Sequence, residues 1–328
     1  MEEAYDRFVE EADTLKEITN GKMNLYKSGN DKTTALHLFE SLTKHIETPP
    51  KLKQNEADEI QKASMGAIIF NTKEYVGTYY KYDIKSDYPS IMKSGMLFPA
   101  REGEFMQVSQ QEFTSQKMTF FKYGIYRCHI PYNAKCKKLF RFNDKNRYTH
   151  IDLTRAVQLG LEMKIIMDDQ ANFLYYSRDK LLTGSEIFGE YIDYCFDLKE
   201  KKAPKSKSIL NVLWGALSQK KIKKRINDNN DPIVISDTDI LHGIKPFNDH
   251  KTIFEVSKMT SQYKSGWSRI CPFLLAKARV KISTLIEPYQ DICVRCHTDS
   301  MNLMEQPSDI VLSDEIGGLC YEGCFIQN

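Results

Sequence analysis

Tyr82-Asp83-Ile84-Lys85-Ser86-Asp87-Tyr88-Pro89-Ser90-Ile91-Met92 is the stretch on which the reading of this chain turns. The apolar run Met65 to Phe70, then Tyr79 and Tyr80, leads into it and predicts a strand that ends at Asp83. A carboxylate at a strand end can hold a hard divalent cation, which prefers oxygen ligands. The Ser-x-Tyr-Pro turn that follows at once aims backbone N–H groups outward, as phosphates require.

Around this stretch the composition sets bounds. With 328 residues the chain can bury a sizeable core, as one large domain or two closely packed ones. No apolar run approaches the roughly 18 residues of a membrane span. The acidic N-terminus MEEAYDRFVEEADTLKEI reads as an amphipathic helix, not a signal peptide. Eight cysteines without a secretory signal point to reduced intracellular thiols. The net charge is only +2, but its distribution is uneven. Between Lys199 and Arg225 ten basic residues face one acid, Glu200, so this segment carries +9 against −7 elsewhere. A local basic surface of this kind suits a triphosphate or a nucleic-acid backbone.

Patterning predicts helices over residues 1–62, with a connection at Thr48-Pro49-Pro50-Lys51. Two strands over 65–92 are broken by the turn Asn71-Thr72-Lys73. A strand is expected within Gly124 to Leu139, a helix capped by Thr154 and stopping near Gly160, and a strand at Lys164 to Met167. Ser185 to Lys202 reads as a helix. Ala203-Pro204 breaks it and starts another, running to about Lys221. Pro232 to Ile240 is strand-like, Asn248-Asp249-His250 a turn, Pro272 to Ile286 a helix, and Ile292 to Met304 strand–turn–strand. Strands and helices mix without regular alternation, which favours α+β.

Two further segments carry chemistry-bearing spacing. In Lys207-Ser-Ile-Leu-Asn211-Val-Leu-Trp214-Gly215, steps of four put Lys207, Asn211 and Gly215 on one helical face, with Leu210, Leu213 and Leu217 largely turned elsewhere. In Val294-Arg295-Cys296-His297-Thr298-Asp299-Ser300-Met301 a second carboxylate sits at a strand–turn boundary. Ser236-Asp237-Thr238-Asp239 is a rival carboxylate pair, kept in reserve because no helix separates it from the Lys207 segment. Cys293 and Cys296 with Cys320 and Cys324 loosely suggest zinc, but strand alternation sets Cys293 and Cys296 on opposite faces.

These three segments, in this order, resemble motifs A, B and C of the family B DNA polymerases: Asp-x-x-Ser-Leu-Tyr-Pro-Ser-Ile, Lys-x-x-x-Asn-Ser-x-Tyr-Gly and Tyr-x-Asp-Thr-Asp-Ser. Thr33 to Phe39, Ser64-Met65-Gly66-Ala67 and Ile316 to Gly323 resemble further segments of the protein-primed viral and linear-plasmid, or organellar and viral, branch. The last matches a Leu-Gly-x-x-x-x-Glu pattern. Asp87 stands where the family has Leu, Trp214 where it has Tyr, and His297 where motif C has its first Asp.

The resemblance implies a right-hand polymerase palm, an antiparallel sheet flanked by helices, with a two-helix fingers subdomain. Residues 1–62 would form an N-terminal junction, 63–182 and 226–328 the palm and the start of the thumb, and 183–225 the fingers. No Asp-x-Glu exonuclease pair occurs and the Lys-x-Tyr motif would lie beyond Asn328, so neither proofreading nor most of the thumb is expected. Asp83 and Asp299, with the Ile84 carbonyl, would hold Mg²⁺ or Mn²⁺. Ser86, Asp87, Tyr88, Lys199, Lys202, Lys207, Asn211 and Gly215 would meet the nucleotide, with Tyr88 excluding a 2′-hydroxyl and Asp87 adding a negative charge near the triphosphate. His297, Thr298 and Ser300 would support motif C. Implied partners are primer-template DNA, dNTPs and a terminal protein or a separate exonuclease or thumb subunit. The implied setting is intracellular, a viral or linear-plasmid replication compartment in host cytoplasm, nucleus or organelle. The departures leave a second class open: a pseudo-polymerase that binds nucleic acid or a replication partner without chemistry.

Overall fold

The computed structural model describes residues 2–72, 75–232, 234–259 and 262–327. It is a mixed helix and sheet structure whose strand pairings are all antiparallel among the described residues.

Four helices begin the chain: α1 (Glu2–Ile18), α2 (Leu25–Ser28), α3 (Asp31–Leu42) and α4 (Gln54–Ala63). A five-stranded sheet of order β1-β13-β14-β2-β15 follows from β1 (Ile69–Asn71), β2 (Gly77–Ile84), β13 (Cys293–His297), β14 (Ser300–Leu303) and β15 (Leu319–Gln327). Chain segments more than 200 residues apart therefore meet in one sheet. Lys73, in the expected turn after β1, lies outside the described residues. The short helix α5 (Asp87–Lys93) leaves β2 through the Lys85-Ser86 turn.

A second layer holds the short strands β3 (Leu97–Pro99), β4 (Glu104–Met106), β5 (Gly124–His129), β6 (Arg147–Thr149), β7 (Lys164–Ile165), β8 (Phe173–Tyr175) and β9 (Leu181–Thr183), with helices α6 (Gln110–Met118) and α7 (His150–Gln158). Several of these strands are three residues long, too short for alternation to reveal. The helix expected to be capped by Thr154 starts five residues earlier. Thr149 and Asp152 form a reciprocal capping box, while Thr154 bonds back to the His150 carbonyl inside α7.

Helices α8 (Gly184–Glu200) and α9 (Ser206–Leu217) pack against each other and against α3 and α5. Thr183 and Glu186 cap α8, a contribution of about 1 kcal/mol. Its apolar stripe Ile187, Phe188, Tyr191, Ile192, Cys195 and Leu198 is buried. Phe188 stacks on Phe39 of α3 with ring centroids 5.5 Å apart, so the N-terminal helices brace this pair from behind. Gly184 is required by packing: a Cβ there would sit 2.2 Å from the Met92 carbonyl oxygen at the end of α5.

A three-stranded sheet follows: β10 (Lys223–Asp228), β11 (Asp239–Asn248) and β12 (Lys251–Lys258), in the order β10-β12-β11. The strand expected over Pro232 to Ile240 begins only at Asp239 and runs on to Asn248; Ile233 lies outside the described residues. Helix α10 (Cys271–Ile286) then crosses the molecule, with Pro272 in its first turn, and is buried on nearly every face. One correction concerns Cys293 and Cys296. A register shift between Cys293 and Arg295 turns both thiols into one apolar core, so they do not lie on opposite faces.

Candidate active site

Asp83 lies at the end of β2, an interior strand. Its neighbours across the ladder are Ser300 on β14 and Cys320 on β15. The β13–β14 hairpin reverses in two residues, Thr298 and Asp299, between the paired His297 and Ser300. Asp299 N–H donates to the His297 carbonyl at 2.9 Å, closing the turn with Thr298 at φ +64°. The Asp299 carbonyl in turn accepts the Ile84 N–H at 2.9 Å, which fixes the hairpin tip against the end of β2.

A third carboxylate joins these two. β15 carries a register shift between Tyr321 and Gly323, and Glu322 is the extra residue. The bulge lets Glu322 line the same cavity as Asp83 and Asp299. Its carboxylate sits 2.6 Å from Lys81 Nζ. Burial first, then the charges of Asp299 and Glu322, push Asp83 up to about 6. Asp299 is raised as well, chiefly by burial.

The cavity measures about 520 Å³ and collects residues from every expected motif: Asp83, Ile84, Ser86, Asp87, Tyr88, Lys199, Lys207, Asn211, Trp214 and Asp299. Ser86, at φ +51°, turns the chain from β2 into α5. Lys199 Nζ at the end of α8 donates to Ser86 Oγ at 2.9 Å. Across the gap, Tyr88 of α5 meets Trp214 of α9 with ring centroids 4.9 Å apart. Carboxylates from the sheet (Asp83, Asp299, Glu322) and lysines from the helices (Lys199, Lys207) thus line one cavity, with Lys85 and Asp87 beside them.

Other expected members stand apart. Lys202 is exposed in the α8–α9 turn, outside the cavity lining. Gly215 does not line it either, and a Cβ there would meet no protein atom. His297, Thr298 and Ser300 build the hairpin behind the lining, with His297 exposed opposite Ile69. Asp87 borders the cavity, but its carboxylate is buried and held 2.9 Å from Lys281 Nζ. The expected extra negative charge near the ligand is therefore compensated.

The rival pair lies elsewhere. Asp239 is buried between Arg225 at 3.0 Å and Lys258 at 2.7 Å, within the three-stranded sheet. The basic run does not make one surface either. Lys199 and Lys207 reach the cavity, Lys201 pairs with Asp197, Lys205 pairs with Glu11, and Lys223 and Lys224 are exposed on β10.

The family described as DNA polymerase type B, organellar and viral, has a model that matches residues 13–295. The chain belongs to this family. No curated protein sequence matches it. Among solved structures it is similar to phi29 DNA polymerase complexed with primer-template DNA, at 18% identity and a TM-score of 0.62, over 92% of this chain and 54% of that one. The same polymerase complexed with primer-template DNA and incoming nucleotides matches at 17% identity and a TM-score of 0.60, over 92% of this chain and 55% of that one. At such identity the likeness shows a shared fold, and the chain spans about 54% of the polymerase's length.

Within this type B polymerase fold, sequence reasoning placed Glu322 in a matched segment without assigning it to the site, and missed Lys281. The Gly317-Gly318…Glu322 spacing was the available signal for the first. Nothing local marks the second, which lies 194 residues from Asp87.

Among the described residues no helix is long and apolar enough to cross a membrane.

Proposed function

We propose that this chain carries the core of a template-directed DNA polymerase, which adds dNMP units to a primer 3′-hydroxyl. One observation carries the proposal: Asp83, Lys199, Lys207, Asn211, Trp214, Asp299 and Glu322, from separate segments of the chain, line one cavity. Family membership supports the same chemistry. Residues 63–182 and 226–328 then serve as the palm, and 183–225 as the fingers.

The donor set fits a hard divalent cation. Asp83 and Asp299 supply oxygen only, and the charge repulsion that adds to burial in raising Asp83 is what a cation relieves. Asp83 and Asp299, with the Ile84 carbonyl, would hold Mg²⁺ or Mn²⁺. A metal held there supplies charge neutralisation at the phosphates and eases ionisation of the primer hydroxyl. Lys207 and Lys199 face the triphosphate as point charges that favour the developing negative charge. Tyr88 and Trp214 form the apolar floor for sugar and base, with Tyr88 against the sugar. Asn211 lines the same wall.

The role of Asp87 is eased by Lys281, so this substitution does not argue for a binding protein without chemistry. Equilibrium binding separates the two classes. Titrating the protein with a fluorescent dNTP should give binding that needs Mn²⁺ or Mg²⁺ and is lost in Lys207→Ala. Metal-independent binding, or DNA binding with no nucleotide binding at all, would sink the enzyme reading.

A further inference from the structure

Lys281 projects from α10 into a junction of three segments. Its Nζ donates to Asp87 Oδ1 at 2.9 Å and to Ser90 Oγ at 3.3 Å, both in the first turn of α5. Ser90 Oγ–H itself donates to the Asp87 carbonyl at 2.6 Å. Gly317 closes the third side: at φ +83° a Cβ on it would lie 2.7 Å from Ser90 Oγ and 3.2 Å from Lys281 Nζ. That glycine is stitched to the other end of the turn, since Gly317 N–H donates to the Lys85 carbonyl at 2.7 Å and Lys85 N–H to the Gly318 carbonyl at 2.9 Å. One ammonium group therefore ties the first turn of α5 to the buried helix α10, beside the loop entering β15.

The arrangement is over-specified for packing alone. Asp87 is 2% exposed, and its Oδ2 has no hydrogen-bond partner among the described residues. A half-satisfied buried carboxylate is less stable than an apolar side chain of similar volume. It sits immediately before Tyr88, whose ring contacts Trp214 and packs against the main core. Backbone displacement at Asp87 passes to Tyr88 through one peptide unit, and a rigid ring excludes a hydroxyl only if it cannot move away.

We propose that Asp87 and Lys281 are a positioning pair that holds Tyr88 in place and so sets discrimination between deoxyribose and ribose. The proposal rests on the polymerase reading above and deepens it. It predicts an ordering that stability alone does not. Lys281→Met strands the buried carboxylate and frees the turn. The double variant Asp87→Leu with Lys281→Met removes both charges and restores apolar packing.

The test compares ribonucleotide with deoxyribonucleotide incorporation in the full chain. Lys281→Met should raise the ribo-to-deoxy ratio about tenfold, mainly through the ribonucleotide KM, and the double variant should return to within about threefold of wild type. An unchanged ratio in Lys281→Met, with both rates falling together, would overturn the pair's role. So would a double variant as relaxed as the single. If Lys281→Met fails to fold, Asp87→Asn carries the same comparison at about threefold.

Should wild type incorporate neither sugar, the polymerase reading fails on its own account. The pair is then read from acrylamide quenching of Trp214 in a Trp267→Phe background. Quenching should rise about twofold in Lys281→Met and fall back in the double variant. Equal quenching in all three would refute the positioning role.

Discussion

Tyr88 and Trp214 meet ring to ring, centroids 4.9 Å apart and planes inclined by 30°, across the gap between α5 and α9. One ring belongs to the segment that carries the sheet carboxylate, the other to the helix that carries Lys207. The contact is an apolar bridge across the cavity, alongside the Lys199–Ser86 hydrogen bond and the packing of α5 on α8.

Aromatic pairs of this geometry contribute about 0.5–1.5 kcal/mol beyond the area they bury. A double-mutant cycle on Tyr88→Ala and Trp214→Ala, followed by urea denaturation, should return a coupling in that range. Additive single effects would show that the rings are merely adjacent.

The proposed metal site predicts a pH dependence with a definite sign. Asp83 is raised from 3.8 to about 6, first by burial and then by Asp299 and Glu322. Between those values the folded chain keeps a proton that the unfolded chain has lost, so metal-free stability falls as pH rises through this window and is level above it. Asp83→Asn should therefore raise Tm relative to wild type above about pH 6 and not below about pH 4. Mn²⁺ competes with the same proton, so its affinity should weaken about tenfold for each pH unit below about 6. Calorimetry with and without Mn²⁺ checks both. A pH-independent difference would refute the assignment.

Core stability should depend on one buried ion pair far from the cavity. Arg269, 0% exposed, donates to both carboxylate oxygens of Glu56, at 2.8 and 2.6 Å. Glu56 also accepts from Tyr176 Oη and Gly103 N–H. Arg269→Met leaves that carboxylate buried and unpaired, and should cost about 3–5 kcal/mol by denaturant unfolding. A loss below about 1 kcal/mol would mean that the pair is solvated in solution.

The hairpin turn stores strain at Thr298, a β-branched residue at φ +64°. Thr298→Gly supplies a residue that accepts a positive φ at the first position of this turn, and should stabilise the protein by about 1 kcal/mol. A destabilised variant would indicate that the threonine side chain does more than its backbone position suggests.

What was legible in the sequence was local. The Asp83 turn, the Lys207 helix face and the Asp299 hairpin each declare themselves within about ten residues, through a strand end, a four-residue step or a two-residue reversal. The literal Asp-Thr-Asp at 237–239 failed because a short motif carries no information about its partners, and Arg225 and Lys258 claim Asp239. Glu322 was hidden by a bulge, which breaks the alternation from which a strand's faces are read. Lys281 looked like any lysine on a helix. Only the fold brings it to Asp87.

Primer extension tests the central claim most directly. Wild type, Asp83→Ala, Asp299→Ala and Asp239→Ala are compared on a primed DNA template with Mg²⁺ or Mn²⁺. Extension by wild type and Asp239→Ala, abolished in Asp83→Ala and Asp299→Ala, is the expected result. Wild-type rates in either Asp83→Ala or Asp299→Ala, or DNA binding with no extension under any metal, would contradict it.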